Sequence, residues 1–129
     1  MICELKKLIR TTGAPQPIGP YSQAVEAGNF LFISGQGAID PQTSKMVTGD
    51  IEAQTQRTLE NVKSIVEAAG FAMKDVVKVS VFLRKMADFQ KMNAVYKEYF
   101  AESPPARTTV EAVLPVADML IEIDVIASR

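Results

Sequence analysis

The segment Leu120-Ile121-Glu122-Ile123-Asp124-Val125-Ile126 indicates the fold class, because its pattern predicts a strand with two different faces. Successive strand side chains point to opposite sides. One side carries Ile121, Ile123 and Val125, and the other carries Leu120, Glu122, Asp124 and Ile126. We expect the first side to face a helix-covered core. The second is too apolar for simple solvation and too acidic for unpartnered burial, so we expect it to meet another subunit.

Two helices and two more strands are predicted between Asp50 and this segment. Apolar residues recur at helical spacing between an N-cap at Asp50 and a glycine stop at Gly70. A strand with one strongly apolar face follows, with Val77, Val79, Val81 and Leu83 on that face. The second helix carries Phe89, Met92, Val95, Tyr96, Tyr99 and Phe100, which we assign mainly to the core, and it breaks at Ser103-Pro104-Pro105. A further strand lies between this break and Leu114-Pro115.

The first third of the chain predicts short strands and an irregular loop. Residues 5–10 and 22–27 are candidate strands, and the Pro- and Gly-rich stretch 13–21 between them predicts the loop. The apolar run Phe30 to Ser34 predicts a strand buried on both faces, followed by a flexible element at Gly35-Gln36-Gly37. The resulting order favours one α+β domain over residues 1–129, with helices on one face of a sheet.

Composition excludes several classes of function. The 129 residues include no histidine, which excludes Ser-His-Asp and Cys-His catalysis. A single cysteine, Cys3, allows neither an internal disulfide nor a thiolate zinc cage, and we expect no metal and no role for Cys3 as a nucleophile. A net charge of -1 gives no bulk attraction to nucleic acid, although a local basic patch stays open. No apolar run approaches a membrane span and no secretory signal is visible, so a cytoplasmic location is the default expectation.

Arg107 is the candidate ligand-binding residue. The prolines of Ser103-Pro104-Pro105-Ala106-Arg107 restrict the backbone before it, so its guanidinium is expected to be held as a planar fork beside the strand-borne carboxylate of Glu122. Such a fork suits bidentate recognition of a small carboxylate. The alternative is that Arg107 pairs with Glu111, with Glu122 or with an acid of a neighbouring subunit.

The stretch Pro104 to Glu111, with Leu114-Pro115 and Ile121-Glu122-Ile123 following, closely resembles the RidA/YjgF/YER057c/UK114 family of reactive-intermediate deaminases. Further matching segments are Ala14-Pro15, Ile18 to Ala24, Phe32 to Gln36, Asp88-Phe89, Asn93 and Tyr96. The resemblance implies a chorismate-mutase-like α+β fold, assembled as a homotrimer with ligand clefts between subunits. It also implies cofactor-independent hydrolysis of 2-iminobutanoate and 2-iminopropanoate to 2-oxo acids and ammonia.

The same resemblance assigns the site residues. Arg107 would bind the substrate carboxylate, and Glu122 would orient or deprotonate the attacking water. The other substrate-binding candidates are Tyr21, Ser34, Gly35, Phe89, Asn93 and Thr109. Tyr21 has a packing role as its alternative, Ser34 and Asn93 a role in fastening local backbone, and Glu122 a role as an interface carboxylate. Thr109 replaces a cysteine that is frequent in the family, so activity is expected to survive with altered rate or preference.

Two other functions stay open at this stage. One is a noncatalytic 2-oxo-acid-binding protein that regulates a partner. The other is an RNA-directed endoribonuclease or translation inhibitor, which the missing histidine and the pI near 5.5 disfavour. The sequence leaves open the preferred imine side chain. It also leaves open the enzyme that supplies the imine, for which the resemblance implies pyridoxal-phosphate-dependent threonine or serine dehydratases.

Overall fold

A computed structural model describes residues 5–129 as one six-stranded mixed sheet with two α-helices. The strands are β1 Lys7–Ile9, β2 Ala24–Ala27, β3 Phe30–Gln36, β4 Val76–Leu83, β5 Ala106–Glu111 and β6 Ile121–Ser128, and the helices are α1 Ile51–Ala68 and α2 Phe89–Phe100. The predicted α+β class, with both helices on one face, is confirmed. The expectation for Cys3 lies outside the described residues.

Strand β6 occupies the middle of the sheet, whose order is β1-β2-β3-β6-β4-β5. It runs antiparallel to both neighbours, whereas β4 and β5 are parallel. Alternate β6 residues are fully or nearly fully buried against the helices, as their alternation predicted. None of the helices described in residues 5–129 is long and apolar enough to cross a membrane.

The register of β4 decides which side chains share a face. Val79 pairs with both Arg107 and Val125, so Arg107 lies on the helix-covered face. Phe82 pairs with both Val110 and Glu122, so Glu122 lies on the opposite face, called the open face below. Cross-strand partners point to the same side of a sheet, and the two faces therefore carry different functional groups.

Several sequence predictions are corrected in detail. Burial of the Phe30 to Ser34 strand on both faces is wrong, because Phe30 and Phe32 are 47% and 44% exposed on the face that no helix covers. Val77 is 45% exposed, since a register shift between Val76 and Lys78 turns it away from the apolar face. The strand predicted at 5–10 is only Lys7–Ile9, and that at 22–27 is Ala24–Ala27. Strand β3 also continues through Gly35 to Gln36, where a flexible element was predicted.

Both ends of α1 match their sequence signals. The Asp50 side chain accepts a hydrogen bond from the backbone N–H of Ala53 at 3.0 Å, which caps the first turn. At the other end the N–H of Phe71 donates to the carbonyl of Val66 at 3.0 Å, around Gly70 with φ of 83°. This is a Schellman motif, in which glycine avoids the cost of a left-handed conformation.

Replacing Gly70 with alanine should therefore destabilise the fold by about 1 kcal/mol, because a Cβ is disfavoured at this φ. Chemical denaturation would measure the change in the free energy of unfolding. Gly19→Ala is the matched control, since a Cβ there meets only ordinary contacts with Tyr21. Equal stability of Gly70→Ala and the parent would contradict this account of the helix end.

Candidate active site

A small cavity surrounds Glu122 on the open face of the sheet. Its volume is about 90 Å³, and its lining includes Tyr21, Gly35, Val116, Met119 and Glu122. The loop before β2, the end of β3 and the segment before β6 each supply part of this lining. The structure thus brings together three of the predicted site residues: Tyr21, Gly35 and Glu122.

Gly35 allows Glu122 to lie directly against strand β3. A Cβ built on Gly35 would collide with the Glu122 carboxylate, so another residue at position 35 would displace that carboxylate. Tyr21 is half exposed at the cavity edge, and its hydroxyl accepts a long hydrogen bond from the N–H of Ile18 at 3.4 Å. The Glu122 carboxylate therefore has the β3 backbone on one side, and the half-exposed side chain of Tyr21 lies nearby.

The environment of Glu122 raises the pKa of its carboxyl above the ordinary value of 4.5. Partial burial is the main cause, because it disfavours the charged form, and the nearby carboxylate of Asp124 adds repulsion. A carboxyl with a raised pKa is a stronger proton acceptor once ionised. Glu122 is therefore suited to accept a proton from water.

A second group of predicted residues surrounds Arg107 on the helix-covered face. Nη1 of Arg107 donates to Oδ1 of Asn93 at 2.8 Å, and the guanidinium carbon lies 5.6 Å from the ring centroid of Phe89. Phe89 and Asn93 share one face of α2, as their four-residue spacing predicted. A surface cavity of about 390 Å³ is lined by Asn93, Pro104 and Arg107 among others. The guanidinium is thus oriented by the Asn93 side chain and lies over the Phe89 ring.

Tyr96 is buried in the core, as its helical spacing predicted, and it also contacts this guanidinium. The Arg107 guanidinium carbon lies 4.7 Å from the Tyr96 ring centroid, a cation-π geometry. Burial raises the pKa of the Tyr96 hydroxyl, and the charge of Arg107 opposes that rise. This contact had a signal in the sequence. Tyr96 lies seven residues after Phe89 and three after Asn93, and residues at these spacings lie on one helix face.

Ser34 and Thr109 lie outside the linings of both cavities. The hydroxyl of Ser34 donates to the carbonyl of Ser22 at 2.6 Å and so fastens the loop before β2. Thr109 shares the face of Arg107, and its buried hydroxyl has no hydrogen-bond partner among the described residues. In the isolated chain, Ser34 therefore has the backbone-fastening contact that the sequence analysis gave as its alternative.

The expectation that Arg107 lies beside Glu122 is wrong within one chain. They lie three residues apart along the strands, two strands apart, and on opposite faces. At about 3.3 Å per residue and about 4.8 Å per strand, the separation within the sheet is about 14 Å. Among residues 5–129, Arg107 forms no salt bridge with Glu111 or Glu122. A small acid cannot reach both groups in a single chain.

This fold and these two groups define a class of small α+β proteins, which comparison with known proteins narrows to one family. A family model described as endoribonuclease L-PSP matches residues 11–129. The chain belongs to this family, whose members include the RidA and YjgF proteins.

Several relatives match over most of their length. A RutC family protein of Pyrococcus horikoshii is 58% identical, covering 97% of this chain and 99% of the relative. A protein of Dermatophagoides farinae named 2-iminobutanoate/2-iminopropanoate deaminase is 50% identical over 81% of this chain and 82% of its own. An Escherichia coli K12 protein with the same name is 44% identical, covering 97% of this chain and 99% of the relative.

Solved structures show the same fold. A Thermotoga maritima crystal structure has a TM-score of 0.93 and 50% identity, covering 95% of this chain and 97% of its own. The Escherichia coli TdcF structure with bound serine has a TM-score of 0.90 and 41% identity, covering 95% and 98%. The structure of the Escherichia coli YjgF gene product has a TM-score of 0.89 and 44% identity, with the same coverage.

The raised pKa of Glu122 predicts that Glu122→Gln stabilises the fold near neutral pH. A carboxyl whose pKa rises on folding destabilises the folded state at higher pH: its cost is absent below 4.5, grows between 4.5 and the raised pKa, and is complete above that pKa. Thermal unfolding across this range should show a Tm gain near neutral pH that disappears on acidification. Glu102→Gln, at an exposed site, is the control. A Tm difference independent of pH would contradict the assigned environment.

Proposed function

We propose that this protein hydrolyses small 2-imino acids, 2-iminobutanoate and 2-iminopropanoate, to the corresponding 2-oxo acids and ammonia. The observation that carries the proposal is the held guanidinium of Arg107, which keeps N–H donors for a ligand after Nη1 binds Asn93. Two relatives named for this deaminase activity, at 50% and 44% identity, support it.

In the proposed reaction, Arg107 binds the substrate carboxylate and the protonated imine presents an electrophilic carbon. Water attacks this carbon while Glu122 accepts a proton from the water. The nitrogen of the resulting carbinolamine takes up that proton, the C–N bond breaks, and the hydroxyl gives its proton to Glu122 as the carbonyl forms. Ammonia then takes this proton from Glu122 and leaves as ammonium. The steps consume one water and involve no change in oxidation state, so they require no redox cofactor.

The proposal includes a homotrimer in which the Arg107 group of one protomer faces the Glu122 cavity of the next. Its physical reason is the separation of the two groups on opposite faces of one chain. The open face also carries exposed apolar side chains, including Phe32 and Val110, that association would cover. A cleft between subunits could then offer both the carboxylate binder and the proton acceptor.

RNA cleavage, which the family description names, has less support here. The chain has no histidine for acid-base cleavage and a net charge of -1. Cleavage of a defined RNA that copurifies with the protein and disappears in Arg107→Ala would favour this function instead.

Deaminase activity should depend on Arg107. We expect Arg107→Ala to lower kcat/KM for freshly generated 2-iminobutanoate by about 100-fold, because two charge-assisted hydrogen bonds at about 1.5 kcal/mol each are lost. Arg107→Lys should lose about 10-fold, since it keeps the charge without the fork. Formation of 2-oxobutanoate is measured against buffer alone, with Arg10→Ala, at an exposed site, as the control.

Parental rates in Arg107→Ala would show that the assignment of Arg107 is wrong. No acceleration by folded parent protein would reject the deaminase proposal. Tight binding of 2-oxobutanoate by calorimetry without turnover would then favour the regulatory alternative.

Mixing two impaired variants tests whether neighbouring protomers share the site. Arg107→Ala and Glu122→Gln should each keep only a small residual activity alone, and refolding them together at equal amounts should restore about one quarter of parental activity. That fraction is the chance that an intact Arg107 faces an intact Glu122 when each protomer is drawn at random. Separately refolded variants combined afterwards are the control. No recovery in verified mixed trimers would place both residues in one protomer's site.

A further inference from the structure

Two buried carboxamides of helix α1, Gln54 and Asn61, hold the backbone around the Glu122 cavity. Gln54 is 2% exposed and Asn61 is fully buried. They are seven residues apart, two helical turns on one face of α1. Buried amides of this kind need hydrogen-bond partners, and both find them in segments that line the cavity.

Asn61 binds the segment that follows β3. Its Nδ2 donates to the carbonyls of Gly37 at 3.0 Å and Ile39 at 2.9 Å, and both of these residues line the cavity. Its Oδ1 accepts from Nε and Nη2 of Arg57 at 3.2 and 2.9 Å. Arg57 can only donate hydrogen bonds, so it must face Oδ1 of Asn61. The NH₂ group of Asn61 therefore points towards the segment that follows β3.

Gln54 binds the segment that precedes β6. Its Nε2 donates to the carbonyl of Asp118 at 2.7 Å, and its Oε1 accepts from the N–H of Leu120 at 2.8 Å. Met119, between these two residues, lines the cavity. Asp118 has a φ of 67°, a conformation that non-glycine residues rarely adopt, so the backbone bonds on either side of Met119 stabilise an otherwise unfavourable turn.

The segment bound by Asn61 and the segment bound by Gln54 contact each other in the cavity lining. A Cβ built on Gly37 would collide with the Met119 methyl group, so this side chain lies directly against the Gly37 backbone. Ile39, Val116 and Met119 give this part of the lining an apolar surface. The cavity volume of about 90 Å³ is small beside the roughly 300–1,000 Å³ of drug-sized ligand pockets, so this lining suits a short alkyl group such as methyl or ethyl.

We propose that Ile39, Val116 and Met119 receive the alkyl group of the substrate, and that Gln54 and Asn61 are positioning residues that set the size of this alkyl subsite. The inference rests on the proposed deaminase function and assigns its side-chain preference. Preference for short 2-imino acids then depends on two amides that do not touch the substrate.

Asn61→Asp and Gln54→Glu are the test variants. In Asn61→Asp, the carboxylate keeps its partner Arg57 and its volume but can no longer donate to the carbonyls of Gly37 and Ile39. Gln54→Glu likewise keeps an acceptor for Leu120 and replaces the amide donor. Thr58→Val is the matched control, because Thr58 is buried on the same helix face and its hydroxyl has no partner among residues 5–129.

The ratio of kcat/KM for 2-iminobutanoate to that for the longer 2-imino-4-methylpentanoate is the main readout. We expect this ratio to fall at least about fivefold in each test variant, since a loosened lining rejects extra methylenes less strongly. Thr58→Val should keep the parental ratio. A loss of folded protein lowers both rates equally, so a purely structural role would leave the ratio unchanged.

The Met119 methyl signal in ¹³C-methyl-methionine NMR is a second, activity-independent readout, assigned with Met119→Leu. It should shift or broaden in both test variants and stay parental in Thr58→Val. An unchanged ratio in folded variants, with or without a methyl change, would overturn the proposal. If the parent hydrolyses neither imine, the deaminase proposal fails. The positioning role of Gln54 and Asn61 is then judged by the Met119 methyl signal alone, and an unchanged signal in the test variants would overturn it.

Discussion

The pairing of β4 with β5 and β6 at once is the constraint on which the other features of this molecule depend. Because cross-strand partners share a face, the register that places Arg107 beside Val79 and Glu122 beside Phe82 sends the two functional groups to opposite sides of the sheet. This register is costly to change because one side of β6 is apolar and buried under the helices. A slip of one residue would expose Ile121, Ile123 and Val125.

That separation gives Arg107 and Glu122 surroundings that suit their proposed roles. Arg107 stacks near the aromatic rings of α2 and is oriented by Asn93, which suits the proposed carboxylate binder. Glu122 lies against Gly35 in a partly buried cavity next to Asp124, which raises its pKa. For the proposed binder and base to act on one substrate, a second copy must supply the missing half, which is the reason that the proposal includes a trimer.

Much of this architecture could be predicted from the sequence because its signals are local. Asp50 and Gly70 mark the ends of α1, and the alternation in β6 assigns Glu122 to the open face correctly. Phe32 was misassigned because an apolar run does not reveal that helices cover only one face of the sheet. The bulge that exposes Val77 likewise depends on tertiary pairing.

The candidate site was predicted only in part, for a related reason. Arg107 and Glu122 were proposed from their residue types and the family resemblance, but their separation follows from strand register, which the sequence does not display. Gln54 and Asn61 had no visible signal, because an amide on a helix has the same sequence pattern whether it faces solvent or binds a distant loop. Their backbone partners at Gly37, Ile39, Asp118 and Leu120 lie 22 to 66 residues away along the chain.

A crystal structure of the assembled protein with 2-oxobutanoate tests the central claim most directly. The account predicts a trimer in which the ligand carboxylate is bound by Arg107 of one protomer, with Glu122 of the neighbouring protomer within hydrogen-bond reach of a water next to the keto carbon. A ligand bound by Arg107 with Glu122 remote in every protomer, or bound away from Arg107, would contradict it.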